Sequence, residues 1–204
     1  MAYETKNYEN LLGTAGFSDT LLKNHFTLYD GYVKNTNKVF DLLSQFAKEG
    51  KTAAPEYAEL KRRFGWEFNG MRLHELYFGN LKKGGRNPSS KSDLADKIAQ
   101  DFGSFDGWLK DFKSTGTMRG IGWTVLTYDY QGNRLFNVWV NEHDAGHLAG
   151  TSPLLILDVF EHAYMLDYGL KRADYIEAFL KALDWDEVEK RFSASVALKE
   201  SAVH

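Results

Sequence analysis

The stretch Asp158-Val159-Phe160-Glu161-His162 directly follows the apolar run Pro153-Leu154-Leu155-Ile156-Leu157. A run this short and apolar predicts a buried strand, and a carboxylate and an imidazole at its end need partners that neutralise them. Two interpretations are open. Asp158 and His162 form a satisfied buried pair, or both bind a metal ion, for which imidazole and carboxylate ligands suit iron, manganese or zinc. In the second case the remaining ligands come from elsewhere in the chain.

The composition is that of a globular protein and narrows the possible chemistry. The chain has 204 residues and a formal net charge of −3 with acids and bases interspersed, which gives no nucleic-acid footprint. It has no cysteine, which excludes disulfides, thiolate metal sites, iron–sulfur clusters and cysteine nucleophiles. The N-terminus has no apolar signal region and no run of about 18 apolar residues occurs, so we expect a soluble, cytoplasmic protein with no membrane partner.

Helical periodicity organises the first part of the chain. Ser18-Asp19 caps a long amphipathic helix whose apolar residues continue to Phe46, and Pro55 opens a second helix that continues to about Leu81. Their similar lengths and short connection predict an antiparallel helical hairpin. Residues 82–92, which contain Gly, Pro and Ser clusters, predict a linker, so we place a domain boundary between 1–83 and 84–204.

The second part changes from helical to strand periodicity and back. Ser92 or Asp93 and then Ser104 cap two helices, and β-branched and aromatic runs around a glycine-containing turn predict an antiparallel strand pair. We expect a frayed tail from Ser193. The fold class is therefore α+β. The predicted strands cover 121–128, 134–140 and 153–158, and the predicted closing helices cover 173–183 and 184–192.

Two histidines lie on the apolar stripes of the hairpin helices. His25 is on the first stripe and His74 on the second, so both are expected to face the interface between the helices. Either one alone is more often a hydrogen-bonded core histidine than a ligand. With Asp158 and His162 they make a set of three imidazoles and one carboxylate, which predicts a redox-capable mononuclear site with room for a solvent ligand.

Four segments of the chain form a recognisable set. They are Phe68-Asn69-Gly70-Met71-Arg72-Leu73-His74-Glu75-Leu76-Tyr77-Phe78, Gly120-Ile121-Gly122-Trp123, Asp158-Val159-Phe160-Glu161-His162-Ala163-Tyr164 and Asp174-Tyr175-Ile176-Glu177-Ala178-Phe179. In this order they resemble the iron/manganese superoxide dismutases. The resemblance implies an N-terminal antiparallel helical hairpin followed by an α/β domain with a three-stranded antiparallel sheet, and a metal ion between the two domains.

The resemblance also implies a set of residue roles. The implied ligands of one iron or manganese ion per subunit, with water or hydroxide as a fifth ligand, are His25, His74, Asp158 and His162. The ion alternates between its trivalent and divalent states and disproportionates superoxide to dioxygen and hydrogen peroxide. Tyr32 lies near the substrate channel and Trp123 lies in the cavity wall. Glu161 reaches the ligand histidine of a second subunit, which implies a homodimer or a dimer of dimers.

One residue that hydrogen-bonds the metal's solvent ligand differs among members of this family. Iron enzymes commonly carry Gln four residues before the hairpin histidine, where this chain has Gly70. Manganese enzymes supply Gln from the sheet domain, in a segment that here is Asn141-Glu142-His143-Asp144. His143 matches the variants that place His there, among them iron and metal-tolerant enzymes. We therefore expect His143 to take this role, with iron favoured over manganese; the alternative is a histidine in an exposed loop.

The first helix departs from the family pattern. The first ligand usually lies eight residues before the channel tyrosine, where this chain has Asn24 rather than His25. Seven residues turn a helix by about 700°, within about 20° of two full turns, whereas eight overshoot by about 80°. His25 and Tyr32 therefore share one face of a regular helix, which indicates a one-residue deletion that removes a π-bulge.

Other departures concern the gateway and the cavity wall. Leu28 and Tyr29 replace the usual histidine pair, so the family's contact to Tyr164 across the dimer is either altered or supplied by Tyr29. Smaller side chains stand where the family usually has Trp, at Phe78, Phe160 and Val125. These differences leave a rival hypothesis, a superoxide dismutase-like metal-binding or sensing protein with altered or no dismutase activity. A third hypothesis is a structural interaction module whose histidines are ordinary core residues.

Overall fold

An α-helical hairpin precedes a domain in which helices cover a three-stranded antiparallel sheet. The structure, a computed structural model, describes residues 2–85, 89 and 91–202, the last four by backbone alone. The helices of this part are α1 (Asp19–Lys48), α2 (Pro55–Gly79), α3 (Asp93–Phe102), α4 (Phe105–Gly116), α5 (Met165–Tyr168), α6 (Arg172–Lys181) and α7 (Trp185–Ala202). The strands are β1 (Gly122–Asp129), β2 (Arg134–Asn141) and β3 (Thr151–Asp158). The α+β fold class expected from the sequence is confirmed.

Helix α1 begins and packs as its sequence pattern predicts. The Ser18 hydroxyl accepts a hydrogen bond from the Leu21 backbone N–H at 3.0 Å, which caps the helix N-terminus. Residues spaced by four along α1, such as Leu21, His25 and Tyr29, are buried, and His25 and Tyr29 lie against Phe78 of α2. His25 lies beside Phe78 near the end of α2, whereas Tyr32 lies beside Trp66, so the two helices are antiparallel.

The sheet has the order β2-β1-β3, with β1 antiparallel to both neighbours. Trp123 at the start of β1 pairs with Val140 near the end of β2 and with Asp158, the last residue of β3. All three residues therefore lie at one end of the sheet. The Asn80 side chain, just after α2, joins the hairpin to β3 by donating to the Ile156 carbonyl at 2.8 Å and accepting from the Ile156 N–H at 3.2 Å. This end of the sheet consequently meets the hairpin.

The C-terminal helix corrects one prediction. The expected frayed tail from Ser193 is wrong, because α7 continues to Ala202. The reason is that the buried stripe of Val188 and Phe192 continues beyond position 193, where Ser195 is 5% exposed and Val196 packs against the core. The four-residue helix α5 was not expected, since a single turn is too short to show a helical period.

The predicted linker falls partly on residues outside the described part of the chain. These are residues 86–88 and 90, and the terminal His204 also lies outside it. The described start of the segment is tied down, since the Lys82 N–H donates to the Ala182 carbonyl at 2.8 Å. The division into 1–83 and 84–204 stays a prediction. No helix in the described residues combines the length and the hydropathy needed to cross a membrane.

Candidate metal centre

Four side chains with ligand atoms converge where the hairpin meets the end of β3. His25 comes from α1, His74 from α2, Asp158 from the last position of β3, and His162 from the 3-10 turn Glu161–Ala163. Their candidate ligand atoms all lie within 4.8 Å of one another. The Asp158 Oδ2 atom lies 3.1 Å from Nε2 of His25, 3.1 Å from Nε2 of His162 and 3.7 Å from Nε2 of His74.

One orphaned atom tests whether these residues fit a metal ion. The His74 Nδ1 lies 2.6 Å from the Gly70 carbonyl oxygen, and a carbonyl only accepts, so Nδ1 carries the proton. The opposite nitrogen, Nε2, is then a lone-pair acceptor. It is fully buried and has no hydrogen-bond partner among the described residues. Such an atom is costly in a protein interior but is the form of imidazole that binds metals, so the donor set fits a metal ion.

The charges at the cluster also suit a cation. Burial lowers the pKa of His25, although its hydrogen bond to Asp158 opposes the shift, and burial with the neighbouring His25 lowers the pKa of His74. Burial alone opposes ionisation of Asp158, but the charges and hydrogen bonds of His162 and His25 hold the pKa of this carboxyl below its usual range. The lowered pKa values of His25 and His74 and the ionised Asp158 suit a metal site, because metal ligands bind in their deprotonated forms.

A simple buried ion pair accounts for only part of this arrangement. The Asp158 Oδ2 atom faces three imidazoles, while its Oδ1 atom accepts the Phe160 N–H at 2.8 Å. A pair between Asp158 and His162 satisfies those two residues but leaves the His74 Nε2 without a partner. Of the two interpretations that the sequence left open, the geometry therefore favours the metal site.

Helix α1 presents His25 rather than its neighbour to the cluster. The helix is α-helical from Asp19 to Lys48, without a π turn between His25 and Tyr32. His25 is 1% exposed, whereas Asn24 is exposed and lines a surface depression on the outside of the molecule. Tyr32, two turns after His25, stacks on the His74 ring with 5.1 Å between ring centroids. These positions agree with the helix-geometry argument made from the sequence.

A hydrogen-bond chain from the sheet domain ends at Tyr32. The Trp123 indole Nε1 lies 3.1 Å from the His143 Nδ1, and the His143 Nε2 lies 2.8 Å from the Tyr32 hydroxyl oxygen. An indole N–H only donates, so Nδ1 of His143 accepts and its Nε2–H donates to Tyr32. Burial lowers the pKa of His143 to about 4, which keeps this imidazole neutral. The Tyr32 hydroxyl thus accepts from His143 and keeps its own proton to donate.

The close packing of Tyr32 explains the glycine at position 70. A Cβ atom built on Gly70 would lie 2.5 Å from Cδ1 of the Tyr32 ring, which is well inside van der Waals contact. A glutamine at this position, which the resemblance led us to look for, therefore has no room while Tyr32 stays in place. The imidazole of His143 enters the same region from the loop after β2, and it is fully buried rather than in an exposed loop.

Of the two gateway options drawn from the sequence, the one that relies on Tyr29 does not fit the contacts of this residue. Tyr29 is fully buried, and its hydroxyl donates to the Glu75 carboxylate at 3.0 Å and accepts the Lys6 N–H at 3.2 Å. The Tyr29 hydroxyl is therefore used in bonds within its own chain. Tyr164, the other member of the gateway, accepts a hydrogen bond from the Arg172 guanidinium at 3.2 Å. Of the two options drawn from the sequence, an altered gateway remains.

Several residues around the cluster were not found from the sequence. Trp66 lies with its ring centroid 4.5 Å from that of His143, and the Tyr175 hydroxyl donates to the Asp158 carbonyl at 2.8 Å. The spacing of Trp66, Gly70 and His74, four residues apart on α2, was a signal for a shared face. The predicted wall residues Phe78 and Phe160 do line the cluster, with ring centroids 4.9 Å from His25 and 5.2 Å from His162, and Val125 is buried in β1.

Comparisons with known proteins agree with the resemblance. Residues 90–191 match the family model described as "Iron/manganese superoxide dismutases, C-terminal domain". The chain is 38% identical over 177 residues to "Superoxide dismutase [Mn] 2" of Haloferax volcanii, covering 86% of each chain. It is 38% identical over 186 residues to "Superoxide dismutase [Fe]" of Cupriavidus metallidurans, covering 89% of this chain and 91% of that one. It is 35% identical over 203 residues to "Superoxide dismutase [Fe]" of Aquifex pyrophilus, covering 97% and 94%.

Proposed function

This chain belongs to the iron/manganese superoxide dismutase family, and on that premise we propose how its residues carry out the reaction. The protein disproportionates superoxide: one superoxide is oxidised to dioxygen and a second, with two protons, is reduced to hydrogen peroxide. The proposed ligands of one metal ion per chain are His25, His74, Asp158 and His162. The observation that carries this assignment is the buried, unpartnered Nε2 of His74 inside the four-residue cluster.

The chain's own residues set the charge and the proton supply of the site. When bound, the ion supplies one-electron chemistry between its trivalent and divalent states. Asp158 contributes one negative charge, and the two imidazoles whose pKa burial lowers, His25 and His74, contribute none. Burial also raises the pKa of Tyr32, so this residue stays protonated near neutral pH. We assign Tyr32 and His143 to holding a proton next to the site, because the His143 Nε2–H leaves the Tyr32 proton free to be donated.

We propose iron as the metal, with manganese as the alternative. The relatives include proteins named for each metal, so identity to them does not discriminate. The support for iron is His143, which stands where the resembling iron and metal-tolerant variants carry histidine. Hydrogen bonds around a metal site tune its redox potential and thereby decide which metal is active.

We propose that a second copy of the chain covers the face beside His162, as the resemblance implies. Leu28 and Leu166 on this face are 42% and 58% exposed, which is unusual for large apolar side chains that lie close together. The Glu161 carboxylate is exposed beside them, and the His162 side chain is 23% exposed. Glu161 would then reach the ligand histidine of the partner subunit.

We also propose that the chain divides into two domains, residues 1–83 and residues 84–204, with the ion between them.

Metal reconstitution tests this function against its rival. The metal-free protein is loaded separately with iron and manganese, and metal content and the rate of superoxide loss are measured. We expect about one ion per chain and a faster reaction with iron. A protein that holds the metal without turnover would support the metal-binding rival, and a protein that holds none would contradict the site.

A further inference from the structure

We propose that Trp66 and Glu142 form a clasp between the helical hairpin and the sheet domain, and that this clasp positions His143 against Tyr32. The inference rests on the proposed role of His143. The Trp66 indole Nε1 donates to the Glu142 carboxylate at 3.1 Å. Trp66 belongs to α2, whereas Glu142 follows β2, so this bond joins the two parts of the chain beside the candidate site. We call it the Trp66–Glu142 clasp.

Trp66 forms one wall of the space that holds His143. Its ring centroid lies 4.5 Å from that of His143 at an interplanar angle of 73°, and 5.6 Å from that of Tyr32. Phe160 forms another wall and stacks on His143 with 4.8 Å between centroids. The imidazole is thus enclosed between aromatic rings, and a change in the position of Trp66 opens one side of that enclosure.

The backbone at Glu142 is held in an uncommon conformation that serves this geometry. Its φ is 49°, in the left-handed region that side-chain-bearing residues seldom adopt. The residue is fixed there because its N–H donates to the Ile121 carbonyl at 3.2 Å. The turn directs the Glu142 carboxylate toward Trp66 and the next side chain, His143, into the interior. Strained backbone of this kind persists where surrounding contacts require it, often at functional sites.

The clasp matters for chemistry because the His143–Tyr32 bond also crosses between the two parts of the chain. Tyr32 lies on α1 and His143 in the loop after β2, and the 2.8 Å distance between them depends on how that loop sits on the hairpin. Within the loop after β2, the His147 imidazole donates to the His143 carbonyl at 2.9 Å and so stabilises the loop's own conformation. The Trp66–Glu142 clasp holds it to the hairpin. Trp66 and Glu142 are therefore positioning residues for the proton-holding pair.

Four variants separate the clasp from a general packing effect. Trp66→Phe keeps an aromatic ring but removes the N–H donor, and Glu142→Ala removes the acceptor. Glu142→Gln keeps a side-chain carbonyl acceptor and removes only the charge. Trp108→Phe is the matched control, because it removes a similar indole hydrogen bond, to Asn137 Oδ1 at 3.0 Å, in the interior of the sheet domain.

The first measurement is NMR of the full-length zinc-loaded or metal-free protein, labelled with 15N at His and Trp. We expect one His143 Nε2–H tautomer in the unmodified chain, in Glu142→Gln and in Trp108→Phe, and averaged imidazole signals in Trp66→Phe and Glu142→Ala. Hydrogen exchange of the Trp66 indole should be at least about tenfold faster in Glu142→Ala than in the unmodified chain, as expected for a lost hydrogen bond to a charged group. Unchanged His143 signals in both Trp66→Phe and Glu142→Ala would overturn the proposal.

The second measurement is the midpoint potential of the iron-loaded protein. Trp66→Phe and Glu142→Ala should shift this potential in the same direction as His143→Ala and by a smaller amount. The potential of Glu142→Gln should stay close to that of the unmodified chain. Shifts no larger than that of Trp108→Phe would also overturn the proposal. The NMR measurement needs no iron, so it tests the clasp separately; absence of bound iron or of turnover in the unmodified chain would contradict the proposed function instead.

Discussion

The contact between Gly70 and Tyr32 makes the sharpest prediction about the site. In Gly70→Ala the new Cβ atom would lie 2.5 Å from Cδ1 and 2.7 Å from Cε1 of the Tyr32 ring. Ordinary carbon contacts are about 3.5 to 4.0 Å, so the ring must move by about 1 Å. A shift of that size lengthens the 2.8 Å bond between Tyr32 and His143 beyond hydrogen-bonding range.

The expected size of the effect follows from two opposing contributions. Overpacking in a close-packed interior costs about 1 to 3 kcal/mol, whereas replacing a helical glycine by alanine stabilises by about 0.5 to 1 kcal/mol. We therefore expect the free energy of unfolding to fall by about 1 kcal/mol, within a range of about 0 to 2.5 kcal/mol. The rate of superoxide loss should fall at least about tenfold, since positioned acid–base groups contribute about 100-fold or more.

Gly65→Ala is the matched control for this prediction. Gly65 lies on the same helix α2, and a Cβ atom built there meets nothing within 4 Å. The control should gain stability by about 0.5 to 1 kcal/mol with an unchanged rate. Urea unfolding and stopped-flow decay of superoxide measure the two quantities. If Gly70→Ala behaves like Gly65→Ala in both assays, the argument that Tyr32 is held by close packing is refuted.

Three further predictions follow from the cluster and its surroundings. Tyr29→Phe removes a donor from the buried Glu75 carboxylate, so we expect about 2 kcal/mol less stability in urea with an unchanged rate; a slower reaction at full stability would contradict this. His143→Ala should slow the reaction and change the iron-to-manganese activity ratio, and kinetics that are unchanged from those of the unmodified chain with either metal would refute its role. In the metal-free protein, the lowered pKa values of His25, His74 and His143 leave more protons on the unfolded chain below about pH 6.5, so stability falls as pH falls. His143, with a pKa of about 4, alone contributes a loss of about 3 kcal/mol by pH 4, and flat stability across this range would contradict the assignment.

Sequence reasoning succeeded where local periodicity controls the structure. The face of α1 that carries His25 and Tyr32 follows from the turn per residue, and capping by Ser18 follows from hydroxyl chemistry. It failed where partners are distant in the chain. Tyr29 occupies one of the two positions where the resemblance places the gateway histidines. Its hydroxyl nevertheless donates to Glu75 on the other helix, a partner 46 positions away. Helix spacing alone does not reveal such a partner.

The same limit applies to Trp66. It shares a face of α2 with His74, but this spacing does not show what lies against that face. Its contacts with His143 and Glu142 form only when the loop after β2 docks on the hairpin. The tail prediction failed for a different reason, because the burial that keeps α7 helical past Ser193 comes from packing against the core rather than from helix propensity.

Metal content of two adjacent variants tests the central claim most directly. His25→Ala removes a buried candidate ligand, whereas Asn24→Ala changes the exposed neighbour on the outer surface. Each protein is loaded with iron, dialysed and analysed for metal per chain. We predict about one ion in the unmodified chain and in Asn24→Ala, and loss of most of it in His25→Ala. Full metal content in His25→Ala together with loss in Asn24→Ala would contradict the site.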